Sequence, residues 1–164
     1  TRTPREGECH GVHYFFMTKE EFEEQIANGQ MLEHAEYCGK YYGTPSSQIM
    51  DWIEEGRDVV LEIEVQGARQ IKEKRPDCVS IFVLPPSLEE LEKRLRYRNT
   101  EDEETIQKRL AVARQEMETA RDYDYVIVND TIEHTVEQIN KIIAAEKLKV
   151  SRAKSNIERV LNND

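Results

Sequence analysis

The sequence predicts an α/β fold in which a parallel sheet flanked by helices is joined to a small mixed α+β lobe. Three observations carry that expectation. After Gly56, runs of Val, Ile and Leu are separated by helical patterns, which is how a parallel sheet with crossover helices reads. Before Gly56 the pattern is short and irregular, with small strand candidates around isolated helices. A chain of 164 residues suffices for one principal core with a smaller appended lobe.

In the first lobe, Tyr14-Phe15-Phe16, Met31-Leu32-Glu33-His34-Ala35 and Tyr41-Tyr42 are strand candidates. Thr18 and Glu21 form a capping box that opens a helix, Phe22 and Ile26 share its buried face, and Asn28-Gly29 ends it. A second helix, over residues 46–55, puts Ile49, Trp52 and Ile53 on one stripe before Gly56. Residues 59–65, 79–84 and 125–128 read as strands of the sheet. Between and after them, Ser87 and Glu90 cap a helix carrying Leu88, Leu91 and Leu95. A second helix carries Ile106, Leu110, Ala113 and Met117, and a third Val136, Ile139, Ile142 and Ile143. From Ser151 onward the signal weakens to a polar helix that frays.

Composition narrows the function. Hydrophobic residues make up 38% and charged residues 34%, and Gly and Pro are few, which excludes a fibrous repeat and a low-complexity chain. Lys+Arg 23 against Asp+Glu 33 gives a net charge of -10, so no nucleic-acid or membrane partner is expected, and an anionic ligand needs a local pocket of basic side chains. No apolar run approaches the roughly 18 residues that span a bilayer. Cys9, Cys38 and Cys78 are odd in number and far apart, and no apolar leader precedes them, so the expected setting is a reducing cytoplasm. Cys38, beside Gly39, reads as a small semi-buried residue. The chain opens at Thr1, without Met, in a charged stretch, and is expected to be cut at its N-terminus.

Four clusters could carry chemistry. Arg2 and Arg5 flank Pro4 and, with the phenols of Tyr14 and Tyr42, would make a phosphate cradle of side chains; the alternative is a solvated turn beside core tyrosines. Glu33 sits in a partly apolar segment, and a covered carboxylate needs donors. Guanine offers two adjacent ones, at N1 and the exocyclic amine, whereas adenine presents an acceptor at N1; Thr44 could add a hydroxyl at the guanine carbonyl. The alternative is a surface Glu and a helix-initiating Thr. Glu62 and Glu64 alternate on one face of the 59–65 strand, with the Gln66-Gly67 turn marking the sheet's carboxyl edge. Arg94 and Arg98, one helical turn apart, and Arg109 bracket an acidic stretch and either close over polyphosphate or pair with the neighbouring acids. His10, His13, His34 and His134 lack the spacing of a zinc site, so no protein-held metal is expected.

In order along the chain these pieces resemble the guanylate kinase family: residues 1–8, Gly11 to Phe16, Glu33, Gly39 to Thr44, Leu61 to Ala68, Pro85-Pro86-Ser87, Arg94 to Arg98 and Val128-Asn129-Asp130. The resemblance covers residues 1–147 and implies a P-loop NTPase-like sheet with a GMP-binding lobe over residues 1–57, a core over 58–92 and 110–164, and a helical lid over 93–109. It implies that Arg2, Arg5, Tyr14 and Tyr42 hold the GMP phosphate, that Glu33 and Thr44 read guanine, and that Glu64 assists at the base. Arg94, Arg98 and Arg109 would stabilise the transferred phosphoryl group, and Asn129 would lie on the adenine side of ATP, the co-substrate that brings Mg2+. His13, Lys40 and Asn99 depart from the usual Asp, Asn and Gly, and none of the three removes a ligand-contacting group. The family's first strand, phosphate loop and first helix belong before Thr1, and no Gly-x-x-x-x-Gly-Lys-Ser/Thr occurs here, so the chain by itself is expected to be a poor catalyst. The rival reading is a guanylate-kinase-like scaffold domain that binds GMP or phosphorylated protein segments without catalysis.

Overall fold

The computed structural model describes residues 1–97 and 102–162, so Arg98 and Asn99 lie outside the described residues. The chain divides into two units, Thr1–Cys78 and Val79–Asp164. The first contains α1 (Lys19–Ala27), β1 (Met31–Tyr37), β2 (Lys40–Pro45), α2 (Ser46–Glu54) and α3 (Val65–Lys74). The second contains β3 (Ile81–Leu84), α4 (Leu88–Tyr97), α5 (Glu103–Glu118), a 3-10 turn (Thr119–Asp122), β4 (Tyr125–Val128), α6 (Ile132–Lys147) and α7 (Lys154–Asn162).

In the first unit both halves of the Thr18–Glu21 capping box are made, so two orphan amides at the start of α1 are satisfied reciprocally. That fixes α1 so that Phe22 is buried and stacks on Tyr41 of β2, with ring centroids 5.6 Å apart. β1 and β2 form an antiparallel hairpin in which Glu33 faces Thr44 and Ala35 faces Tyr42. Met31, Glu33 and Ala35 alternate to the buried face. The register shifts between Met31 and Glu33, a bulge of the kind that re-aims the side chain beside it.

The hairpin turns at Cys38 and Gly39, both at positive φ (50° and 74°), as a two-residue turn matched to the strand twist requires. Cys38 is therefore exposed at the tip rather than semi-buried, because a residue at that corner faces away from both strands. Its left-handed backbone favours Asn. Cys38→Asn is expected to stabilise the protein by about 0.5–1 kcal/mol, read as a rise in urea midpoint with unchanged slope.

Three further sequence expectations fail here. Residues 14–16 form no strand, and Tyr14 makes only an isolated bridge with His10. Residues 57–64 carry no regular secondary structure, and Gln66 and Gly67, expected to form a turn, lie in the first turn of α3. The Val/Ile-rich run has no ladder partner among the described residues, and a strand needs one; Val60 is 76% exposed and no residue of the run is buried. On α2, Ile49 is buried while Ile53 sits at the exposed edge of the stripe.

In the second unit β3 and β4 pair in parallel, Ile81 with Tyr125 through Leu84 with Val128. Asp124 accepts from both the amide and the hydroxyl of Ser80, each at 2.8 Å, and so pins the start of that pair. The crossover contains α4 and α5. Ser87 caps the first, accepting from Glu90 N, and Asp102 caps the second, accepting from Thr105 N. Leu95, Ile106 and Leu110 form a buried cluster with Leu91 against it, which packs the two helices as a hairpin. Arg96 bridges them, bonding Glu92 on its own helix and Glu103 on the next. That contact holds the Glu103 carboxyl at about 2, well below the ordinary range. On α6, Glu146 is buried and accepts from the Tyr125 hydroxyl at 2.6 Å, tying the helix to β4.

Candidate functional site

The Glu33 side chain is 3% exposed. Two things make that burial tolerable. Its cross-strand partner Thr44 donates a hydroxyl hydrogen bond to Oε1 at 2.6 Å, and the carboxylate rests on α3 where Gly67 has no side chain. Burial pushes the Glu33 carboxyl up from its ordinary value, and the Thr44 bond opposes that push. A buried carboxylate with one hydroxyl partner has lone pairs to spare for a ligand's N–H groups. With its single proton on Glu33, the Thr44 hydroxyl offers a base an acceptor, and donating to a guanine carbonyl requires it to rotate. Tyr42, paired with Ala35, shares the face of Glu33 and Thr44. Glu64 is the residue at which α3 begins, three before Gly67, rather than a strand residue facing Glu62's side of a sheet.

The N-terminal segment builds a second cluster around Glu8, which sequence reasoning passed over. Arg2 is bound bidentately, Nη1 and Nη2 each 2.6 Å from a Glu8 oxygen, and its guanidinium lies 5.1 Å from the Tyr14 ring centroid and 5.6 Å from that of Phe16. The same carboxylate accepts the Arg5 amide at 2.7 Å, and a turn closes from Glu8 N to Arg5 O. Arg2 is held more firmly protonated, while Glu8 is pulled down to about 2 by Arg2 first and the Arg5 amide second. Glu8 thus orients the Arg2 guanidinium and fixes the Arg5 backbone at once; its spacing of three from Arg5 was the available signal. Arg5 itself is exposed, and Tyr41 N donates to Thr1 Oγ1 at 2.9 Å, which lays the segment beside β2.

In the second unit, Arg94 on α4 is held by Glu90, Nε to Oε1 at 3.0 Å, with Nη1 3.4 Å from Asn129 Oδ1 and Nη2 3.5 Å from the Asp130 carbonyl. The structure thereby brings together Arg94 and Asn129, which lie 35 residues apart in sequence. Arg109 is half-buried on α5. Among the described residues no group of three or more His, Cys, Asp or Glu side chains could hold a metal ion, and no helix is long and apolar enough to cross a membrane.

A parallel strand pair with two helices in its crossover is an α/β arrangement, consistent with a P-loop NTPase-like fold. The comparisons with known proteins refine that class. The family model for guanylate kinase matches residues 1–146. A guanylate kinase of Clostridioides difficile strain 630 is 52% identical over 96% of this chain and 77% of its own length. One of Desulfitobacterium hafniense strain Y51 is 51% identical over 93% of this chain and 76% of its own length. The crystal structure of guanylate kinase from Anaplasma phagocytophilum superposes with a TM-score of 0.80 at 39% identity, covering 93% of this chain and 74% of that one. The chain belongs to the guanylate kinase family.

Proposed function

We propose that the protein transfers the terminal phosphoryl group of ATP to GMP, giving ADP and GDP. The observation that carries this reading is the buried Glu33 carboxylate, presented beside Thr44 on the face of a rigid hairpin. Ionised, it accepts guanine's N1–H and exocyclic amine together, and it meets a lone pair where adenine stands. In the lobe of residues 1–57, Arg5 and the Glu8-anchored Arg2, with the Tyr14 and Tyr42 hydroxyls, hold the GMP phosphate, and Glu64 assists at the base. In the lid of residues 93–109, Arg94, Arg98 and Arg109 meet the moving phosphoryl group, where charge spreads over its oxygens. Asn129 faces the adenine side. Mg2+ arrives with ATP and would neutralise the polyphosphate; among the described residues no group of three or more His, Cys, Asp or Glu side chains forms a site for it. A cytoplasmic enzyme without nucleic-acid or membrane partners is in keeping with the charge of -10 and three cysteines far apart in sequence.

The test is a coupled ADP-release assay with ATP and either GMP or AMP as acceptor, run on a polypeptide that carries the family's first strand, phosphate loop and first helix ahead of Thr1; residues 1–164 alone should turn over poorly. Turnover that depends on GMP and is far weaker with AMP is expected, and equal turnover with both would overturn the reading.

A further inference from the structure

One edge of β1 is paired with β2, and side chains of α3 occupy its other edge as a neighbouring strand would. Lys74 Nζ donates to the Leu32 carbonyl. Gln70 uses both ends of its amide on one residue, donating to the His34 carbonyl at 2.6 Å and accepting from the His34 amide at 3.2 Å. Gln66 reaches toward the Glu36 carbonyl at 3.5 Å. Four residues of helix advance about 6 Å and two residues of strand about 6.6 Å, so positions 66, 70 and 74 stay in step with 36, 34 and 32. The middle rung, Gln70, grips the peptide that directly follows Glu33.

Gly67 lies between the first two rungs and forms the floor beneath Glu33. A Cβ there would stand 2.0 Å from Glu33 Oε2, 2.9 Å from its Cδ and 3.4 Å from its Cγ. No such contact survives, so any larger residue displaces the carboxylate. Gly is otherwise the wrong choice in a helix, where Ala is strongly preferred, and the close approach of Glu33 is what the position accommodates.

We propose that Gly67 and Gln70 are positioning residues for base recognition: Gly67 seats the Glu33 carboxylate and Gln70 clamps the strand that carries it, so that α3 sets the enzyme's discrimination of guanine from other purine rings. This rests on the reading that Glu33 contacts guanine. Inosine monophosphate is the sensitive probe, because its base keeps the N1–H and carbonyl of guanine and lacks only the exocyclic amine.

Steady-state kinetics with GMP and with inosine monophosphate, beside thermal melts, test it on the wild type, G67A, Q70L, E33A and G67A/E33A, each carrying the family's phosphate-loop segment ahead of Thr1. G67A should keep the fold, since Ala is the better helix former and the atom it meets is the end of a flexible side chain. The expected result for G67A is a GMP KM raised about tenfold, kcat and the ATP KM within about twofold, and a GMP preference over inosine monophosphate collapsed toward that of E33A. In the E33A background, where no carboxylate remains to displace, G67A should add nothing. Q70L should shift the same preference in the same direction. A G67A enzyme that discriminates like wild type while E33A does not, or a G67A effect that persists undiminished in E33A, overturns the positioning role alone. E33A with unchanged discrimination overturns the reading beneath it. Should Q70L fail to fold, G67A and the double variant still decide.

Discussion

Arg94→Ala is expected to lower kcat by about 10³-fold while changing GMP binding by no more than about twofold. Among the described residues the guanidinium is held closely by Glu90, to which Nε bonds at 3.0 Å, while the terminal nitrogens reach Asn129 and Asp130 at 3.4 and 3.5 Å, long enough to be weak. Those nitrogens can turn to phosphoryl oxygens at little cost. A cation that meets charge only as it develops lowers the barrier without tightening ground-state binding, so its loss falls on kcat. Arg96 is the internal control. Two carboxylates, Glu92 and Glu103, already engage it, and Arg96→Ala should loosen α4 against α5 with a far smaller effect on turnover. Arg5→Ala should instead weaken GMP binding. Unchanged kcat in Arg94→Ala and Arg109→Ala would remove the proposed role of these arginines, while GMP binding with no ATP-dependent turnover in the wild type would favour a non-catalytic scaffold.

Glu33→Gln should weaken GMP roughly ten- to a hundredfold, the equivalent of losing one charge-assisted hydrogen bond of about 1.5–3 kcal/mol. Its amide has one donor and one acceptor where guanine presents two donors, so one contact is kept without its charge and the other becomes a clash of hydrogens. The same change should leave stability at neutral pH equal or improved. Burial raises the Glu33 carboxyl, which means the folded state holds its proton more tightly than the unfolded chain does. Just above the ordinary carboxylate range the folded protein therefore carries the extra proton, and this group's contribution to stability falls as pH rises through that window. Guanine's donors favour the ionised form, so GMP affinity should rise with pH over the same window. Glu33→Gln should abolish both dependences, as thermal melts and titrations at several pH values would show.

Local signals in the sequence gave a faithful account of several elements. Thr18 with Glu21, Asn28-Gly29 and Ser87 with Glu90 mark helix ends through bonds within one turn, and all of them form. The apolar runs at β3 and β4 mark a parallel pair because both are short and β-branched. What escaped is what depends on contacts far along the chain. α3 was obscured by Gly67, whose low helix propensity reads as a turn until Glu33, 34 residues earlier, is seen against it. The Val/Ile run before it reads as a buried strand, yet none of its residues is buried and Val60 is 76% exposed, because apolar character alone supplies no ladder partner. The spacing of Gln66, Gln70 and Lys74 was visible as a helical stripe, but its meaning lies in the edge of β1. Arg94 and Asn129 meet only because a crossover returns the chain to a parallel neighbour. Among the proposed site residues, Arg2 was identifiable from its neighbours, while Glu8, which holds it, was hidden in a charged stretch that reads as solvent-facing.

The central claim is that the buried Glu33 carboxylate makes this a guanine-reading site. Calorimetric titration of the protein with GMP and with AMP, at a pH above the Glu33 titration, tests it most directly. GMP is expected to bind at least about tenfold more tightly than AMP, with the difference lost in Glu33→Gln. Equal affinity for the two nucleotides in the wild-type protein would contradict the account.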